Sequence, residues 1–208
     1  MRALALMAAF ALAAPLPPAI AAPSSSSALK QLHAEMAAAR KELATGDLKL
    51  RSKPVVSLGS KQRASVEDDL PEAVITPTGQ LMIEGQVVPT SPQQRALLNQ
   101  YRQQLVSVGL AGIDIGERAA GLALEAVDMP LLSLLASAFT GGLEKKLETR
   151  LKNDMAPLVL QLCDRLPAVL SAQDTLAAEL VQFRPYAGLK TDDVANCRQE
   201  VQSSLDAA

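Results

Sequence analysis

Between Leu97 and Ala126, apolar or small residues recur at Leu97, Tyr101, Leu105, Val108, Gly112, Ile115, Ala119, Leu122 and Ala126. The steps are four or three residues, so all of them fall on one face of an α-helix. A helix of that length with one continuous apolar face has to bury it. The chain is thereby committed to helix-on-helix packing. The start of this helix is also written locally. Ser91-Pro92-Gln93-Gln94 offers a cap, a proline for the first turn and a glutamine to close a capping box.

Other segments repeat the pattern. Leu29, Leu32, Met36, Ala39 and Leu43 predict an amphipathic helix over 28–45, stopped by Gly46 after a flexible leader, Ser24 to Ser27. Leu143, Leu147, Leu151, Met155, Leu158 and Leu162 predict another. Pro167 reads as an interruption, and Leu170 to Phe183 as a further helix ended by Pro185. Val194, Cys197, Val201 and Leu205 mark the inward face of a last helix, capped by Thr191 or Asp192.

Residues 73–89 read differently. Val74, Ile75, Leu81, Ile83, Val87 and Val88 are good strand formers. Thr76-Pro77-Thr78-Gly79 fits a type I turn, with Gly79 taking positive φ, and Glu84-Gly85 fits a second tight turn. Leu48-Lys49-Leu50 alternates as a short strand does. Three short strands cannot stand alone and must pack on helices. The expected fold is mainly α, a helical hairpin or bundle with a small N-terminal antiparallel β-meander, an α+β arrangement.

The N-terminus carries the parts of a secretory signal peptide. Arg2 supplies the positive charge, and Ala3 to Ala14 is an uncharged helical run too short to cross a ~30 Å hydrocarbon core. Pro15, Pro17 and Pro18 break that helix. Ala19-Ile20-Ala21 then places small residues where the peptidase admits only small ones. Residues 1–21 are thus read as a signal peptide, 22–71 as a leader helix and flexible linker, and 72–206 as a β-meander plus helical domain. The expected location is a bacterial periplasm.

Composition narrows the partners. The formal charge is −2, and more negative once Arg2 is removed, which gives no basic footprint for nucleic acid. With no Trp, two Tyr and three Phe, the chain has few faces on which sugars or bases would stack. Asp114, Glu117, Arg118, Glu125 and Asp128 recur too closely for a transmembrane segment in the mature chain. The uncharged stretch Met129 to Leu143 falls short of the roughly 20 residues a span needs. Peripheral contact with a membrane surface stays open.

Candidate sites are few. Cys163 and Cys197 are a disulfide candidate, each in line with the apolar face of its own helix, and a loop of that length is worth roughly 3–4 kcal/mol in the chain-entropy model. Gly109, Gly112, Gly116 and Gly121 lie inside the long helical pattern, each costing about 0.5–1 kcal/mol against alanine. Gly112, Gly116 and Ala120 repeat every four residues, a face that admits close approach of another backbone. Three readings stand: packing against the Leu143–Leu162 helix within the chain, a surface for self-association or an envelope protein partner, or a break of this segment into two helices. Asp114 is expected to be partly buried and paired with Arg118 one turn on. Glu67-Asp68-Asp69 reads as a solvated turn rather than a cation site. His33, the single histidine, cannot build a metal site or a triad by itself, and no nucleophile motif is present. No catalytic residue, metal or cofactor is expected.

The run Ile75-Thr76-Pro77-Thr78-Gly79-Gln80-Leu81-Met82-Ile83-Glu84-Gly85 is followed by Ser91 to Arg95, Tyr101 to Leu105 and Gly112-Ile113-Asp114-Ile115-Gly116. In these stretches the chain resembles the YggN-like family of uncharacterised proteobacterial envelope proteins, most clearly from Ala73 to Leu124. The resemblance implies an exported protein built on a domain of unknown function, with no catalytic residues to transfer. Taken together, the expectation is a non-enzymatic periplasmic protein acting by interaction or scaffolding. The alternative is a carrier holding a small hydrophobic ligand in a helical cavity. Mass spectrometry of the exported protein should find Ala22 as its first residue, and Ala21→Asp should leave the precursor uncut; an intact Met1 terminus on exported material would overturn the cleavage reading.

Overall fold

The computed structural model describes residues 25–50, 70–127 and 142–206. The expected signal sequence with Ala19 and Ala21, the acidic run Glu67-Asp68-Asp69, residues 51–69 of the expected linker and most of Met129–Leu143 lie outside the described residues. The elements are α1 (Ser25–Thr45), β1 (Leu48–Leu50), β2 (Ala73–Ile75), β3 (Leu81–Ile83), β4 (Gln86–Val87), α2 (Pro92–Val127), α3 (Gly142–Cys163), α4 (Leu166–Glu179), a 3-10 turn (Val181–Tyr186) and α5 (Thr191–Asp206). The protein is mainly helical with one small antiparallel sheet, the α+β arrangement expected from sequence.

The sheet runs in the order β1-β2-β3-β4, so Leu48–Leu50 is not isolated but forms the edge of the meander. Register explains which residues are inside. Leu50 faces Ala73, which faces Ile83, and Leu48 faces Ile75, which faces Leu81. Residues directly opposite share a face of the pleat, and Ala73, Ile75 and Leu81 on this face are fully buried. Both predicted turns form. Gly79 has φ +75° and donates its N–H to the Thr76 carbonyl at 3.0 Å. Glu84 (φ 50°) and Gly85 (φ 75°) both adopt the left-handed conformation that a tight primed hairpin turn requires.

The long helix α2 is continuous across all four of its glycines. Its start is the expected capping box: Gln94 N–H donates to Ser91 Oγ at 3.1 Å, and Ser91 N–H donates to Gln94 Oε1 at 2.9 Å. Gln94 also donates from Nε2 to the Glu179 carbonyl at 2.7 Å, tying the start of α2 to the end of α4. The apolar stripe is only part of the buried face. Leu98 and Arg102, one position past Leu97 and Tyr101, are buried as well.

Two clusters hold the elements together. The larger joins the sheet to α2 and α4 through Leu50, Ala73, Ile75, Leu81, Leu98, Tyr101, Val169, Leu176 and Phe183. Tyr101 and Phe183 meet edge to face with ring centroids 5.1 Å apart, and burial pushes the Tyr101 hydroxyl up to about 12. The smaller cluster joins α2, α3 and α5 through Ile115, Val159, Leu160, Cys163, Cys197 and Val201.

Several local expectations are corrected. Ser25 to Ser27 belong to α1 rather than to a flexible leader. Pro167 does not interrupt a helix; it sits in the first turn of α4, where a missing N–H costs nothing. The helix expected over Leu170–Phe183 ends at Glu179, and Val181–Tyr186 is a 3-10 turn containing Pro185. The cap of α5 is also different, since Asp193 accepts from the Lys190 N–H at 2.8 Å. At the end of the linker, Leu70 packs on the larger cluster and the Pro71 carbonyl accepts from the Tyr186 hydroxyl at 2.8 Å.

Gly79 combines a left-handed φ with crowding, because a Cβ there would lie 2.4 Å from Asn99 Oδ1. Gly79→Ala should therefore lower stability by roughly 1–3 kcal/mol, measured by urea unfolding. A variant as stable as the parent would show that the turn relaxes freely.

Candidate functional site

Both α1 and α3 pack on α2. At Gly109 the α1 helix comes close: a Cβ there would lie 2.5 Å from Leu43 Cδ2. The expectation that the small-residue face of α2 packs on the Leu143–Leu162 helix is not met at Gly112 or Gly116. Both are exposed, and among the described residues a Cβ at either position would meet nothing within 4 Å. Ala120 is half-buried. The four residues are thus divided, with Gly109 serving contact inside the chain and Gly112 and Gly116 facing outward.

Charged side chains flank these open glycines. Arg40 of α1 donates to Asp114 Oδ1 at 2.8 Å and also to Glu117 Oε2. These two hydrogen bonds, that to Asp114 first, raise the Arg40 guanidinium above its ordinary value. His33 Nε2 lies 3.5 Å from Glu117 Oε1, an ion pair when the imidazole is protonated. Arg118 pairs with Asp154 of α3 at 2.8 Å. The expected Asp114–Arg118 pair is therefore not the one formed. Asp114 is exposed, and each of the two residues reaches a different neighbouring helix. Pairs this close to water are screened and hold the helices together only weakly.

A stronger polar interaction lies one layer deeper. Arg102 is buried, and its guanidinium donates to carbonyls of two separate elements. Nη1 reaches Ile75 O of β2 at 3.2 Å, and Nη2 reaches Ala44 O at 3.0 Å and Gly46 O at 2.9 Å. The last carbonyls of α1 lack partners within their own helix and carry its negative dipole end. A buried cation there completes their hydrogen bonding and fastens α1 and β2 to α2. Sequence periodicity gives no hint of this role, because an arginine beside an apolar stripe reads as solvated.

The disulfide forms as expected. Cys163, at the end of α3, is bonded to Cys197 of α5 with Cα atoms 5.8 Å apart. Beside it, Arg198 pairs with Asp164, the residues that follow each cysteine. No group of three or more His, Cys, Asp or Glu side chains placed to hold a metal ion occurs among the described residues. Comparison with protein-family models, with curated proteins and with solved structures returned no match.

Replacing Arg102 with methionine keeps much of the side-chain volume while removing every donor. Arg102→Met should cost roughly 2–4 kcal/mol, because carbonyls of α1 and β2 are left unsatisfied. It should also raise amide exchange in the last turn of α1. Thermal unfolding and hydrogen exchange report the two effects, and unchanged protection in α1 would show that Arg102 does not fasten that helix.

Proposed function

We propose that this chain is an exported, non-enzymatic protein of the bacterial envelope, of the YggN-like kind, which acts by binding a helix of a protein partner or of a second copy along the open part of α2. The observation that carries the reading is the pair Gly112 and Gly116. A helix interior loses about 0.5–1 kcal/mol at each glycine relative to alanine. Gly109 has a contact inside the chain to set against that cost, whereas Gly112 and Gly116 have none among the described residues. A close-approaching backbone from outside would supply one. The signal-like N-terminus supports export, and a cysteine pair joined as a disulfide suits an oxidising compartment.

Osmotic-shock fluid from cells making the wild-type chain should contain the protein in an assembly larger than the monomer, read by size-exclusion chromatography with light scattering. Gly112→Leu and Gly116→Leu should abolish that assembly without lowering the unfolding midpoint. Variants that associate like the parent would remove the basis for a binding face. Variants that unfold would place both glycines in the interior instead. Retention of the chain on membranes through a carbonate wash would contradict a cleaved, exported product.

A further inference from the structure

Helix α5 is joined to the rest of the protein in an uneven way. Just before it, the chain is pinned. The buried amide of Gln173 donates from Nε2 to the Leu189 carbonyl at 2.8 Å and accepts from the Leu189 N–H at 2.9 Å. Beyond Leu189 the attachment is thin. Among the described residues α5 places one buried apolar side chain, Val201, in the body, where it meets Val159 and Cys163 of α3. Cys197 and Val194 are half-buried, and the Arg198–Asp164 pair is exposed to water on both sides. Among the residues whose side chains are described, buried Val201 and half-buried Val194 and Cys197 are a modest apolar contribution toward ordering a helix of 16 residues, which packs on α3 and, less extensively, on α4. The covalent bond to Cys163 supplies what the packing lacks.

We propose that α5 is a redox-released latch, hinged at Lys190 and closed by the Cys163–Cys197 disulfide, which on reduction by a dithiol swings away and uncovers the apolar face formed by Ile115, Val159 and Leu160. The chemistry is ordinary thiol–disulfide exchange. A thiolate of the dithiol attacks Cys197 Sγ, the more exposed of the two sulfurs' residues. The S–S bond breaks, and its electron pair leaves on Cys163 as a thiolate that takes up a proton. The second thiol of the reductant then displaces Cys197 from the mixed disulfide. Two electrons and two protons pass to the cysteines, and the dithiol becomes a disulfide. The larger core shares no side chain with this bond, so the sheet and α4 remain folded when the latch opens.

The test is hydrogen exchange on the full chain before and after treatment with excess dithiothreitol. Reduction should lower amide protection across 191–206 by about tenfold or more, with α4, β2 and β3 unchanged. Reoxidation should restore the closed pattern. Cys197→Ser should show the open pattern without any reductant, which separates loss of the bond from other effects of the dithiol. Three results would overturn the proposal: unchanged protection in 191–206 after reduction, equal loss throughout α4 and the sheet, or a disulfide that stays oxidised in excess dithiol.

Discussion

Arg102 brings a positive charge into the interior and spends its donors on main-chain carbonyls of α1 and β2. A buried guanidinium left unpaired would be strongly destabilising. Here the end of α1 provides compensation, since its free carbonyls point toward the charge and carry the negative end of the helix dipole. The consequence reaches beyond one helix. The same side chain holds the inner strand β2 at Ile75, and β2 carries both neighbours of the meander. Arg102 therefore ties the end of α1 and the inner strand of the sheet to α2.

A similar device recurs at the end of α4. Arg184 donates from Nε to the Ala177 carbonyl at 2.8 Å, and Gln94 takes the Glu179 carbonyl. The last carbonyls of a helix have no partner within it. Arg102 and Gln94 complete helix ends from far away in the chain, so their bonds are also tertiary ties, whereas Arg184 is a local partner on the exposed end of α4. The smaller cluster of α2, α3 and α5 works by another means. It is shallow, with three buried residues among those described, none of them fully buried, and a covalent bond stands in for apolar area. The α2 helix belongs to both clusters, so the two ends of the protein are coupled through one continuous rod.

The candidate site was partly legible in the sequence. The spacing of Gly112, Gly116 and Ala120 identified a face of small residues, since periodicity is a local property of the helix. It did not identify the neighbours. Gly109 packs on Leu43, far away in the chain, and Asp114 reaches Arg40 rather than the arginine one turn on. An i,i+4 pair is worth only a few tenths of a kcal/mol, so a better-placed partner from α1 displaces it readily. Arg102 gave no signal at all, because nothing local distinguishes a clamping arginine from a solvated one.

What the sequence by itself determined is whatever depends on a few consecutive residues. The capping box at Ser91 and Gln94, the two turns at Gly79 and Glu84-Gly85, the helical period of α2 and the strand character of 73–88 all follow from short-range sterics and hydrogen bonding. Number and apolar placement made Cys163 and Cys197 candidates for a bond, but two buried free thiols fitted the sequence as well, and packing brought them together. The tertiary structure alone decided that Leu48–Leu50 joins the sheet and that Pro167 opens a helix instead of breaking one. It alone also left Gly112 and Gly116 facing outward while Gly109 is covered. Each of these outcomes turns on which distant element arrives to satisfy a carbonyl, fill a groove or pair a charge, and that is settled only when the whole chain packs.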